Sequence, residues 1–158
     1  MIKVMFVCHG NICRSPMAEM ILKELARREG IADRFVIASA ATSTEEIYCG
    51  VGNPVYPPAR AELDRRGIPC EAHRARLLTR ADYDSYDLLI GMDSRNLSNM
   101  NRILGGDPDR KIRLLLSFAG RHDDVADPWY SGRFDIAYTD ILDGCTALIS
   151  WLRQRKLL

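Results

Sequence analysis

The sequence predicts an α/β fold in which an open sheet of parallel neighbours is covered by helices on both faces. Three observations carry this expectation. The chain opens on an apolar run, Ile2 to Val7, broken only by Lys3; further short apolar runs alternate with segments of helical periodicity; and a long helical segment, Phe134 to Leu157, closes the chain. An unbroken apolar run reads as a strand buried on both faces. Such strands belong to parallel sheets, whose crossovers are right-handed.

Each element follows from local chemistry. After the first strand comes a Gly-Asn turn, and Ser15-Pro16 supplies a helix start, because proline in the first turn sacrifices no hydrogen bond. Met17, Met20, Ile21, Leu25 and Ala26 then fall close to one face of a helix that ends near Glu29 and stops at Gly30. Phe35 to Ser39 reads as a second strand, Ala59 to Arg66 as a helix closed by Gly67, Asp87 to Met92 as a third strand and Lys111 to Leu116 as a fourth. The stretch from Ala41 to Pro58 is rich in turn formers and longer than most connections, so it is either a binding rim or a floppy insertion. No repeat, low-complexity tract or linker divides the chain, and residues 1–158 are expected to form one domain.

Composition narrows the function. A chain of 158 residues buries roughly 70% of its unfolded surface and needs neither disulfide nor metal to fold. With 22 basic and 21 acidic residues, the net charge of +1 suggests no nucleic-acid or membrane partner, while a small anionic ligand remains open. The opening apolar run is interrupted from Cys8 to Arg14, too early for a signal peptide or a membrane span, which points to the cytoplasm. Five cysteines at irregular positions, 8, 13, 49, 70 and 145, do not form an extracellular disulfide framework and read as reduced thiols.

In an open α/β sheet ligands bind beyond the carboxyl ends of the strands, so the stretch VCHGNICRSP, Val7 to Pro16, is the first place to seek a site. A strand, a turn containing Gly10 and Asn11, and a helix starting at Ser15 or Pro16 would aim several backbone N–H groups at one spot. That spot favours an anion such as phosphate, and Gly and Asn tolerate the left-handed backbone such a cradle needs. Arg14 adds a planar fork that can hold two phosphate oxygens. Cys8 lies at the base of the same cradle, where the field that favours phosphate also favours a thiolate. A thiolate beneath phosphorus can attack in line to give a cysteinyl-phosphate, with Ser15 donating a hydrogen bond to the sulfur. A lone cysteine ending a strand is more often a core residue, but here each neighbour meets a separate requirement of one mechanism. A metal site drawing on Cys8, His9 and Cys13 is set aside, since Arg14 would repel the cation and the paired spacing is absent.

CHGNICRSP, Cys8 to Pro16, resembles the signature loop of the low-molecular-weight protein-tyrosine phosphatases. The resemblance extends through Ser39 to Thr42 (SAAT), Ala72 to Arg76 (AHRAR), Leu89 to Asp93 (LIGMD) and Asp127 to Tyr130 (DPWY), and so covers nearly the whole chain. It implies an open four-stranded parallel sheet with helices on both faces, the phosphotyrosine phosphatase I-like, Rossmann-like three-layer fold. By this resemblance Cys8 is the nucleophile, Arg14 the transition-state clamp, Ser15 the stabiliser of the leaving thiolate and Asp127 the general acid. The loop His9, Gly10, Asn11, Ile12, Cys13, Arg14 and Ser15 would bind phosphate. Asn11, Ser39, His73 and Asp93 would form the hydrogen-bond network that holds the loop in shape, and Cys13 would be able to form a reversible disulfide with Cys8. The implied substrate is a phosphotyrosine-containing protein, the product inorganic phosphate, and no cofactor or metal is expected.

Selectivity rests on the rim, expected to comprise Ile12, Tyr48, Trp129 and Tyr130. Ile12 fills a place that, by resemblance, favours a flat aromatic substrate, whereas related arginine phosphatases carry threonine there. Trp129 and Tyr130 would wall a slot that only a long phenyl ring bridges. The rim stretch from Thr44 to Tyr56 looks longer than usual, and Glu45 or Glu46 stands about where many members place an aromatic, a place Tyr48 would take over. Three alternatives remain at this point: a protein-arginine phosphatase; an arsenate reductase of the same fold, against which stands the absence of cysteine between Leu77 and Met92; and a phosphotyrosine-binding module without turnover, against which stands the retention of both Cys8 and Asp127.

Overall fold

The computed structural model describes all residues, 1 to 158. In chain order the elements are β1 (Ile2–Cys8), α1 (Arg14–Arg28), β2 (Phe35–Ala41), β3 (Ile47–Tyr48), β4 (Val51–Gly52), α2 (Pro57–Arg65), α3 (Asp82–Ser85), β5 (Leu88–Gly91), α4 (Ser94–Leu104), β6 (Ile112–Leu114), α5 (Pro128–Ser131) and α6 (Phe134–Gln154). Four strands form one parallel sheet in the order β2-β1-β5-β6, with Val4 beside both Ile37 and Leu88. The opening strand is therefore interior to the sheet. It reads as an unbroken apolar run because helices cover both faces: Val4, Phe6 and Cys8 join the core under α1, α2 and α6, while Met5 and Val7 join Leu89, Met100 and Leu104 under α4.

Several boundaries differ from the sequence reading for identifiable reasons. The last strand stops at Leu114, because Leu115 and Leu116 turn in a 3₁₀ segment, Leu115–Ala119, to bury themselves against α6. Gly144 makes room there: a Cβ at that position would lie 2.5 Å from Leu115 Cγ. Helix α2 starts at Pro57, two residues earlier than expected, since Pro57-Pro58 suits a first turn. Helix α4 is an element the pattern did not announce. Its N-cap is Asp93, whose carboxylate accepts from Asn96 N–H while Asn96 reaches back, and it ends at Gly105 in the left-handed region.

The long connection after β2 folds as a rim, not as a floppy insertion. β3 and β4 pair antiparallel across a tight turn in which Cys49 and Gly50 both have positive φ. No helix is long and apolar enough to cross a membrane. The carboxyl ends of β1, β2 and β5 deliver Cys8, Ser39 and Asp93 to the same edge of the sheet.

Candidate active site

The loop between β1 and α1 is a concave array of donors. From His9 to Ser15 no backbone N–H donates to another protein group, and Cys13, the N-cap residue of α1, offers no side-chain cap. Unsatisfied amides at the start of a 15-residue helix make an anion site. Asn11 takes the left-handed conformation, φ 59°, that bends the loop back on itself. A cavity of about 130 Å³ opens above, lined by Cys8, His9, Gly10, Ile12, Cys13 and Arg14 from the loop, by Glu45 and Glu46 from the rim, and by Asp127, Trp129 and Tyr130.

Behind the cavity the amide of Asn11, fully buried, sets the loop's shape. Its Nδ2 donates to Ser15 Oγ at 2.8 Å and to Ser39 Oγ at 2.9 Å, and its Oδ1 accepts from Arg76 N–H at 3.1 Å. Because Ser15 Oγ accepts from Asn11, its own hydrogen is left to point at Cys8 Sγ, 3.0 Å away. Ser39 in turn donates to Glu19 Oε1 at 2.6 Å, and Lys23 holds the other Glu19 oxygen at 2.6 Å. His73 Nε2 is 2.9 Å from the Asn11 carbonyl, which can only accept, so this nitrogen carries the proton.

Arg14 is only 3% exposed and its fork is divided. Nη1 donates to Asp93 Oδ2 at 2.7 Å and to the Val125 carbonyl at 2.8 Å, while Nη2 lies 3.5 Å from Asp127 Oδ2. Burial works against the charge, but the Cys8 sulfur, Asp93 and Asp127 outweigh it and hold the Arg14 pKa above its usual value. Burial first, then Cys8 and Asp127, pushes the Cys13 thiol well above the ordinary thiol range, so it remains neutral. Asp127 caps α5 through Oδ1, which accepts from Trp129 N–H at 3.0 Å, and this turns Oδ2 toward the cavity.

The segment that carries Asp127 is pinned along its length. Arg121 pairs with Asp123, Asp140 and Asp143; Asp124 accepts from Ser94 N–H at 3.2 Å; and Val125 N–H donates to the Met92 carbonyl at 2.9 Å.

The expected residues thus converge, with two corrections of detail. Asp93 does not join the Asn11, Ser39 and His73 cluster but steadies Arg14 while capping α4. Tyr48 is not part of the cavity wall: it is 67% exposed on β3, because Ile47 takes the inward place against Ile12, Cys13 and Ala75, and alternation along a strand turns the next side chain out. Tyr56 and Phe134 were not anticipated. Tyr56 packs against Trp129 with ring centroids 4.8 Å apart and planes tilted by 47°, and lies 6.0 Å from Phe134. Glu19 and Lys23 were likewise missed, although Glu19 stands four residues after Ser15 on the same helix face.

The family model for low molecular weight phosphotyrosine protein phosphatase matches residues 3–157. The chain belongs to this family. Among its relatives, the low molecular weight protein-tyrosine-phosphatase YfkJ of Bacillus subtilis is 36% identical over the full length of both chains. The crystal structure of YfkJ superposes with a TM-score of 0.92, covering 99% of this chain and 97% of that one. The low molecular weight phosphotyrosine protein phosphatase of Rattus norvegicus is 36% identical over 92% of each chain. An arginine phosphatase from Drosophila shares the fold, with a TM-score of 0.82 and 30% identity over 94% of this chain and 96% of that one. A protein named a tyrosine phosphatase and one named an arginine phosphatase therefore share this fold.

Proposed function

We propose that this chain hydrolyses phosphotyrosine in proteins through a cysteinyl-phosphate, with residues 1–158 acting as one phosphatase domain. The observation that carries the reading is the placement of Cys8 Sγ at the base of an unsatisfied amide cradle, with Arg14 and Asp127 lining the same cavity. The phosphoryl group sits in the cradle, where the amides from His9 to Ser15 hold its oxygens. Nη1 of Arg14 is committed to Asp93 and Val125, which leaves Nε and Nη2 as the fork for two equatorial oxygens as they flatten. The Cys8 sulfur attacks phosphorus in line. Asp127, in its acid form, gives its proton to the departing tyrosine oxygen, and the resulting carboxylate then takes a proton from the water that cleaves the phosphorus–sulfur bond. The Ser15 hydroxyl stabilises the sulfur anion before attack and on release.

Ile12 favours an aromatic ring over a guanidinium, since it presents an apolar side chain to the cavity and packs against Ala75 and Cys13. Trp129, supported by Tyr56, extends that apolar wall and makes phosphotyrosine the better substrate than phosphoserine by reach. The chemistry uses no metal or cofactor. A nucleophilic thiol and five unpaired cysteines suit a reducing compartment, and we assign the protein to the cytoplasm.

The test is hydrolysis of aryl phosphates by the parent, Cys8→Ser and Asp127→Asn. Cys8→Ser is expected to lose turnover. Asp127→Asn is expected to slow by about 10² to 10⁴-fold with a poor leaving group and much less with an acidic one. Equal slowing across leaving groups would remove Asp127 from the acid role, and turnover retained in Cys8→Ser would overturn the covalent route.

A further inference from the structure

We infer that Glu45 and Glu46 bias this enzyme toward phosphotyrosines flanked by lysine or arginine, an inference that rests on the phosphotyrosine phosphatase reading above. The chain has seven glutamates, and five of them are paired with cations: Glu19 and Glu71 with Lys23, Glu24 with Arg27 and Arg28, Glu29 with Arg153, and Glu62 with Arg65 and Arg66. Neither Glu45 nor Glu46 pairs with a lysine or an arginine, and these are the two that line the cavity above Cys8.

Both carboxylates are nevertheless held in place. Glu45 lies 2.9 Å from His9 Nε2, which ties the rim to the phosphate loop, and Glu46 accepts from Asn53 Nδ2 at 2.7 Å. Asn53 is neutral and leaves the charge of Glu46 undiminished. The stem of Glu46 lies directly over the loop, so that a Cβ on Gly10 would come within 3.2 Å of its Cγ. Besides His9, the only other basic side chain among the lining residues is Arg14, and Arg14 is engaged below by Asp93.

Such a rim disfavours acidic side chains beside the phosphotyrosine. It attracts a substrate whose phosphate is accompanied by cations one or two residues away, because the phenyl ring fills the slot and the flanking side chains come to rest at the rim. The half-exposed indole of Trp129 offers those cations a second attraction through its ring face. At surface dielectric a single added charge changes encounter and binding by about three- to tenfold at low salt, and less once the Debye length shortens.

The experiment compares kcat/KM for one phosphotyrosine peptide carrying Lys, Ala or Glu on either side of the phosphotyrosine, together with a phosphoarginine peptide and para-nitrophenyl phosphate, in the parent, Glu46→Gln and Glu45→Gln/Glu46→Gln. In the parent the Lys peptide is expected to exceed the Glu peptide by about tenfold or more at low salt, with Ala between. The spread should shrink at high salt, fall partway in Glu46→Gln and collapse to about twofold in the double variant. A flat or reversed ranking in a parent that turns over para-nitrophenyl phosphate overturns the rim inference alone, as does a ranking that survives in the double variant. No turnover of para-nitrophenyl phosphate, or faster release of phosphate from a phosphoarginine peptide than from any phosphotyrosine peptide, overturns the underlying reading and the rim inference with it.

Discussion

Replacing Asn11 is the most informative perturbation of the loop, because its amide is the template on which the cradle is bent. Asn11→Gly keeps the left-handed backbone and removes three hydrogen bonds. Ser39 retains Glu19 and Ser15 retains Cys8, so only the Arg76 N–H loses its sole partner. One orphaned, partly buried donor costs about 1 to 3 kcal/mol, and the two other lost bonds add about 0.5 to 1 each, for a total of about 2 to 5 kcal/mol. Asn11→Ala adds the strain of φ 59° on a residue with a Cβ, about 1 to 2 kcal/mol, partly offset because glycine gains more freedom on unfolding. Alanine is therefore expected to be the worse of the two by roughly 0.5 to 1 kcal/mol. Urea denaturation reads both values, and the inhibition constant of inorganic phosphate reads the cradle itself, which should weaken in both variants. A glycine variant within about 0.5 kcal/mol of the parent, with unchanged phosphate inhibition, would refute the template role.

Two further outcomes are expected. Gly52→Ala should destabilise by more than about 2 kcal/mol and lower kcat/KM, since its Cβ would fall 1.8 Å from the Ala75 carbonyl and force the rim hairpin off its support; equilibrium unfolding and para-nitrophenyl phosphate kinetics check both. Acid stability should depend on Glu24, whose carboxyl is held down to about 2, first by its hydrogen bond from Arg27 and then by Arg28. A folded pKa below the unfolded one means that the contribution is complete above the ordinary carboxylate value, about 4.3, and is lost as pH falls toward about 2. Glu24→Gln should flatten the stability profile across that window, read by thermal melts at stepped pH.

The loop was legible in the sequence because its chemistry is contiguous: an apolar strand, a Gly-Asn bend, Arg14 and Ser15-Pro16 each state a requirement within ten residues. What depended on distant partners was not. Glu19 acquires its meaning only from Ser39, brought beside it by the crossover from α1 to β2, and Lys23 from Glu19 and from Glu71, which lies in the stretch after α2. Nearly half of helix α4 is Ser and Asn, residues that favour turns and caps, and only its capping box and Gly105 mark its limits. Tyr48 was misplaced because a two-residue strand gives no period from which to tell its inward side chain from its outward one.

The anchoring of the segment from Arg121 to Asp127 has a kinetic corollary. With Val125 bridging Met92 and Arg14, the segment carrying Asp127, the proposed proton donor, is anchored before any ester arrives. Capture of a rigid aryl ester should accordingly proceed in one phase, without a slow isomerisation after collision. Inhibitors shaped to this cavity would bind without first having to rearrange the segment.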